Sequence, residues 1–68
     1  MASGVLFSLH AVQRMVLRGI TRREVEAALR SGSKSRQGDR IVAAYRYFEV
    51  VYIVRDSDIF VITVKPRW

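Results

Sequence analysis

Two patterns of hydrophobic and polar residues divide the chain near residue 40. Before it, apolar residues recur three or four positions apart, which predicts helices; after it, β-branched and aromatic residues predominate, which predicts strands. The first predicted helix covers residues 8–19, with Ser8 as its N-cap and Gly19 at its end. We expect four of its apolar residues to form a stripe that packs on the core: Leu9, Val12, Met15 and Val16.

The second predicted helix, residues 21–31, carries the strongest local signals. Thr21 and Glu24 have the T-x-x-E spacing of a capping box, in which each residue satisfies a free backbone N–H of the first turn. Val25 begins an apolar stripe at helical spacing, and Gly32 is expected to end the helix. The very short link between the segments predicts a helical hairpin.

Residues 41–65 predict three or four antiparallel strands. The Asp-Ser-Asp sequence at residues 56–58 indicates a hairpin turn, and Pro66 is expected to close the last strand. Residues 31–40 are polar, contain glycine and serine, and predict a mobile connecting loop, with a short strand as the alternative. Residues 5–7 are interpreted as an edge strand or an extended arm. Together these elements predict one α+β domain over residues 1–68, with two N-terminal helices packed on one face of a three- to four-stranded antiparallel sheet.

The net charge of the chain indicates which classes of partner to expect. The 68 residues carry a net charge of +6, and ten of the twelve cations are arginines. Because the arginine fork matches phosphate and carboxylate groups, the expected partners are RNA, DNA or an acidic protein segment. The alternative is that the charge serves only solubility.

Several classes of protein are disfavoured by composition. Without cysteine and with one histidine, neither a metal site nor a bound cofactor is expected. The N-terminus lacks the basic and apolar regions of a signal peptide, and no segment approaches the ~20 apolar residues of a spanning helix. We therefore expect a cytoplasmic protein that does not contact the membrane.

The first helix also carries candidate chemistry. His10, Arg14 and Arg18 are spaced four residues apart and share one polar stripe of a helix. Metal-independent RNA cleavage needs a base for the 2′-hydroxyl, an acid for the leaving oxygen, and cations for the phosphorane charge. His10 is the candidate general base or acid because histidine ordinarily titrates near neutrality, and Arg14 is the candidate phosphate ligand.

The strands supply further candidates. Thr63 and Lys65 alternate along the last strand and therefore share one face. Arg18, Arg46, Lys65 and Arg67 are predicted to bind nucleic acid. The three tyrosines, Tyr45, Tyr47 and Tyr52, are candidates for base stacking or weak acid catalysis. Trp68 is expected to pack on the domain.

Each candidate also has a structural explanation. A single histidine near a helix start is more often a packing or capping residue than a catalyst, and Arg14 and Arg18 belong equally well to a solvated helix face. Tyrosines are common in strands and cores, and Thr63 is a good strand former. A non-catalytic basic module that binds RNA or an acidic protein is therefore the alternative to the enzyme, and a homodimer is a third.

The pattern H-A-x-x-R-M-x-x-R-G-I, followed by T-x-x-E-V, a later glycine and a β-rich end V-I-T-V, resembles a family of small prokaryotic domains grouped with the RelE-like toxins. That group lies within the wider set of barnase, colicin and RelE-type ribonuclease folds. The matching residues are His10, Ala11, Arg14, Met15, Arg18, Gly19, Ile20, Thr21, Glu24, Val25, Gly32, Val61, Ile62, Thr63 and Val64.

This resemblance implies a helical pair against an antiparallel sheet, metal-independent RNA cleavage and an acidic antitoxin as partner. It implies that His10, Arg14 and Thr63 are the polar site positions, with Arg18 nearby. The chain lacks the dense C-terminal cluster of bases and tyrosine found in many RelE-type enzymes. That difference counts against ribosome-dependent cleavage.

Overall fold

The computed structural model describes residues 4–67, so the expected packing of Trp68 lies outside the described residues. All five strands form one sheet, in the order β1-β5-β4-β3-β2. The elements follow the chain as β1 (Val5–Phe7), α1 (Leu9–Arg18), α2 (Arg22–Ser31), β2 (Ser33–Gln37), β3 (Arg40–Tyr45), β4 (Phe48–Arg55) and β5 (Asp58–Pro66).

The sheet differs from the predicted one in strand number and direction, so the predicted fold class was wrong. It has five strands and is mixed, because β1 runs parallel to β5 while the other neighbours are antiparallel. β1 precedes both helices in the chain. β1 has only three residues, Val5 to Phe7, which is too short for a period-two pattern to be visible in the sequence.

Residues 5–7 thus form the edge strand that was one of their two interpretations, and a further strand, β2, lies at the opposite edge of the sheet. All of its five residues are exposed, and they pair with β3 from Ser33–Ala44 to Gln37–Arg40. Gly38, at φ 67°, forms the turn between the two strands. Because the side chains of β2 are polar and all exposed, they show no apolar alternation, so the sequence predicted mainly a loop and a short strand only as the alternative.

α1 is capped as predicted, but its packing differs from the prediction. The Ser8 hydroxyl accepts a hydrogen bond from the Ala11 N–H, and Gly19 ends the helix in the left-handed region. The buried side of α1 is formed by Ala11 and the half-buried Met15. The other three residues of the predicted stripe are largely in solvent, with exposed fractions of 74% for Leu9, 42% for Val12 and 77% for Val16.

The connection from β1 accounts for this orientation of α1. The Ser8 N–H donates to the Val61 carbonyl at 3.0 Å, and the Ser8 hydroxyl donates to the Ile62 carbonyl at 2.6 Å. These two bonds hold the first turn of α1 on β5 and so determine which side of the helix meets the sheet. Helical periodicity alone does not contain this long-range contact.

α2 confirms the predicted capping box. The Glu24 N–H donates to the Thr21 hydroxyl at 3.1 Å, and the Thr21 N–H donates to the Glu24 carboxylate at 2.9 Å. Val25 and Ala28 are fully buried on its inner side. They share one core with Ala11 and Ile20 and with six strand residues: Ala43, Phe48, Val50, Tyr52, Val61 and Val64.

A β-bulge in β5 sets which of its side chains reach this core. Val51 pairs with Thr63, but the next residue, Tyr52, pairs with Val61, so Ile62 has no partner in the register. The extra residue lets Val61 and Val64 both point into the core although they are three positions apart. Thr63, between Ile62 and Val64, consequently lies on the sheet face away from the helices.

Candidate functional site

α1 runs alongside the second half of β5. It starts where Ser8 bonds to Ile62, and it ends where Arg18 lines a cleft together with Pro66. β1 pairs with β5 only as far as Val61, and among residues 4–67 no other strand covers this edge. The helix and the exposed strand edge therefore border one elongated surface, and most of the predicted site residues belong to these two elements.

The polar stripe predicted on α1 lies in solvent. His10, Arg14 and Arg18 are all exposed. At a rise of 1.5 Å per residue, Arg14 is about 6 Å and Arg18 about 12 Å from His10 along the helix axis. Within residues 4–67, the side chains of His10 and Arg14 make no hydrogen bond or ion pair. These groups are therefore open to an external ligand.

Thr63 is half-buried on the neighbouring strand, on the sheet face away from the helices. Its side chain makes no hydrogen bond to His10 or Arg14 within the described chain. The structure thus places the three predicted catalytic residues on adjacent elements without direct contact. Lys65 shares the Thr63 face and lies 3.9 Å from the Glu49 carboxylate, which partly neutralises it.

Three of the four predicted nucleic-acid ligands meet at one end of the molecule, around the β3–β4 turn. Arg18 and Tyr47 line the same cleft, of about 270 Å³, with Pro66 at its side. The Arg67 N–H donates to the Tyr47 carbonyl at 3.1 Å, and the Arg67 guanidinium donates to the Arg46 carbonyl at 2.9 Å. We call Arg18, Arg46, Tyr47 and Arg67 the basic end.

The backbone of this turn has an unusual conformation. Arg46 has φ 55°, a left-handed value that turn residues such as glycine or asparagine adopt more easily. No glycine, asparagine or proline occurs in the turn, so the sequence left its boundary undefined. The Arg46 guanidinium stacks on the Tyr45 ring, 5.3 Å from its centroid, and the Arg67 bond reinforces the turn from the other strand.

The three tyrosines separate into different roles. Tyr52 is buried in the core, and burial raises the pKa of its hydroxyl, which makes it a poor acid catalyst at neutral pH. Tyr45 is half-buried and packs edge-on against Phe48. Tyr47 is 43% exposed, so it is the tyrosine best placed to stack on a base.

The charge distribution leaves most cations available. Two ion pairs occur among residues 4–67, Arg22–Glu26 and Lys65–Glu49. Of the acids, Glu24 is engaged in the capping box, and Asp58 accepts a hydrogen bond from the Gly4 N–H. Within residues 4–67, no carboxylate forms an ion pair with the arginines of the basic end, which is the electrostatic condition for binding a polyanion.

Sequence reasoning missed two features of this region. The first is the solvent-facing side of α1, where Leu17 at 70% exposure joins the exposed residues of the expected core stripe. The second is how Arg22 is accommodated: its unfavourable position next to a helix N-terminus follows from the sequence, but the groups that compensate for it do not. Arg22 lies over the Phe7 ring at 5.6 Å and pairs with Glu26 at 3.0 Å, and these contacts compensate for its position.

Residues 4–67 contain neither a membrane-spanning helix nor a cluster of metal-binding side chains. No helix within residues 4–67 is long and apolar enough to cross a membrane. No three histidine, cysteine, aspartate or glutamate side chains of that part come together as metal ligands.

Comparisons with known proteins bear on this geometry. A family model described as "Domain of unknown function (DUF4258)" matches residues 7–65. Among proteins with curated functions, none matches the chain in sequence. One chain of the crystal structure of the toxin–antitoxin complex RelBE2 from Mycobacterium tuberculosis superposes with a TM-score of 0.65 at 17% identity, covering 98% of this chain and 100% of that one. That likeness shows a shared fold.

Proposed function

The chain belongs to the DUF4258 family, and from that premise we propose that it is a toxin-like protein of the toxin–antitoxin type that cleaves RNA without a metal ion. The observation that carries the proposal is the exposed stripe from His10 through Arg14 to Arg18, which leads directly into the basic end. The fold shared with a chain of the RelBE2 toxin–antitoxin complex supports the same proposal.

In this proposal the basic end binds the RNA and α1 supplies the chemistry. Arg18, Arg46 and Arg67 hold phosphates, and a base stacks on Tyr47. The chain then continues along α1, where Arg14 binds the phosphate that reacts. As the 2′-oxygen bonds to phosphorus and the bond to the leaving 5′-oxygen breaks, His10 either takes the 2′-hydroxyl proton or protonates the leaving oxygen, and solvent water makes the other proton transfer. Thr63 on β5 is the third polar position of the proposed site.

The first experiment is cleavage of a labelled mixed-sequence RNA in EDTA. We expect cleavage by the native protein and a loss of about 100-fold or more in His10→Ala, since general acid–base catalysis contributes that much. Arg14→Ala should lose activity as well, whereas Arg30→Ala, an exposed arginine of α2, is the matched control and should retain it. Circular dichroism verifies that each variant is folded. Full activity of His10→Ala would refute the mechanism.

The alternative function is a non-catalytic module that binds RNA through the same arginines. The observation that favours it is that, within residues 4–67, His10 has no hydrogen-bonding side chain that could act as its acid–base partner. This alternative predicts salt-sensitive RNA binding, no cleavage by the native protein, and unchanged affinity in His10→Ala. The protein partner that we propose for either function is an acidic, antitoxin-like chain.

A further inference from the structure

The solvent-facing side of α1 is unusually apolar. Leu9, Val12, Val16 and Leu17 are exposed to between 42% and 77% on a helix of ten residues. At 100° per residue, all four project within one half of the helix surface, which also includes Gln13, and away from the buried Ala11 and the half-buried Met15. We call these four residues the apolar face of α1. Surface helices ordinarily place polar residues on that side, so such a face is typical of an interface.

We propose that the apolar face of α1 is the docking surface for an acidic amphipathic helix of a partner protein, and that this partner and RNA exclude each other. The first part rests on the geometry of α1 alone, and the second part rests on the proposed RNA-directed function. The apolar face spans about 12 Å along the axis, from Leu9 to Leu17, which matches about two turns of a partner helix.

Charge determines the chemistry of the partner. α1 carries Arg14, Arg18 and His10 and has no aspartate or glutamate. His10 and Arg14 border the apolar face, so carboxylates on one flank of a docked helix would reach them. A second copy of this chain would instead bring further cations and no carboxylate from its own α1. An acidic partner is therefore favoured over self-association.

The position of the apolar face next to His10 and Arg14 links binding of the partner to binding of RNA. A helix lying on the apolar face stands beside His10 and Arg14, the groups that the proposed mechanism assigns to the reacting phosphate. Its carboxylates compete with phosphate for Arg14, and its bulk covers the approach to His10. Binding of the partner and binding of RNA along α1 are therefore mutually exclusive.

The test uses the full chain and a fluorescent designed peptide, an amphipathic helix with leucines on one face and glutamates on its flanks. A second peptide carries lysine in place of every glutamate. We expect the glutamate peptide to bind and the lysine peptide to bind at least about tenfold more weakly at low salt. Equal affinity for both peptides would refute the assignment of an acidic partner.

Two variants of the chain test whether the peptide binds at the apolar face of α1. The double variant Leu9→Gln/Val16→Gln replaces two exposed residues that do not line the cleft, and glutamine is a good helix former. It should weaken peptide binding about tenfold or more while RNA affinity stays unchanged. Val54→Gln, at a residue 55% exposed on β4, is the matched control and should bind the peptide normally. An unchanged affinity in the double variant would overturn the docking site.

Two more measurements separate the remaining outcomes. Unlabelled glutamate peptide should displace labelled RNA from the native chain, and failure to displace it would refute mutual exclusion. If RNA does not bind at all, the proposed function fails, and the peptide titrations still decide the docking site. Sedimentation of the native protein and of Leu9→Gln/Val16→Gln tests self-association. If the native protein is a dimer and the double variant is a monomer, the apolar face binds a second copy of the chain, and the proposed acidic partner is refuted.

Discussion

Gly32 offers a sharp test of how α2 joins the sheet. It ends α2 with φ −70° and ψ 160°, a conformation that any residue adopts, so a requirement for glycine cannot come from the backbone angles. A Cβ built at this position would lie 2.6 Å from the Ala28 carbonyl oxygen and 2.8 Å from the Ala44 carbonyl oxygen. Glycine is needed here because backbone from α2 and β3 approaches from two sides.

The expected cost of Gly32→Ala follows from these distances. Both contacts are roughly 0.6 to 0.8 Å shorter than the 3.4 Å at which ordinary contact begins, and both atoms belong to backbone that cannot rotate away. Overpacking of this kind costs about 1–3 kcal/mol, and we expect the upper end because the helix must shift against β3. For a domain of this size, each kcal/mol lowers Tm by about 4–8 °C, so Gly32→Ala should lower Tm by about 10–20 °C.

Gly19 provides the matched control. It has φ 70°, and nothing lies within 4 Å of a Cβ built there, so its requirement is conformational. Gly19→Ala should cost about 1 kcal/mol, and Gly19→Asn should recover part of it because asparagine tolerates this conformation. At Gly32, asparagine should be at least as harmful as alanine. Thermal unfolding of the four variants measures these changes in Tm. A smaller decrease in Tm for Gly32→Ala than for Gly19→Ala would refute the reasoning.

The remaining predictions concern the core, a helix cap, pH and salt. Phe48→Ala removes the largest fully buried side chain of residues 4–67 and should cost about 3–5 kcal/mol in denaturant unfolding. Thr21→Ala, which removes one half of the capping box, should cost about 1 kcal/mol in the same assay. The raised pKa of Tyr52 means that the unfolded state loses this proton first. The stabilising contribution is therefore complete below about pH 10 and is lost as pH rises through the folded pKa. Tyr52→Phe should flatten the fall of Tm in this alkaline range, and an unchanged profile would contradict the assignment. If Arg46 and Arg67 each bind one RNA phosphate, replacing either by glutamine should reduce the slope of log K against log salt by about 0.7, whereas an unchanged slope excludes that contact.

The candidate site was only partly accessible to sequence reasoning. The stripe of His10, Arg14 and Arg18 follows from spacing along one helix, and the structure leaves all three exposed. The proximity of Arg18, Arg46 and Arg67 does not follow from spacing, because any two of these residues are at least 21 positions apart. Only the path of α1 along β5 brings them to one end of the molecule.

The features that could be predicted from the sequence are the helix caps and the overall charge. Ser8, Thr21, Glu24 and Gly19 cap the helices through contacts within a few residues, and the charge of +6 is a property of composition. These features depend on groups that are close in sequence, so no knowledge of the fold is needed to predict them.

The edge strands and the orientation of α1 depend on long-range contacts. β1 and β2 exist because β5 and β3 offer them backbone partners, and neither strand has a side-chain pattern of its own. The Ser8 bonds to β5 turn α1 so that Ala11 is buried, while Leu9 and Val16 are left in solvent. Helical periodicity defines which residues share a face, but long-range contacts choose which face is buried. That choice is what gives α1 both its polar stripe and its apolar face.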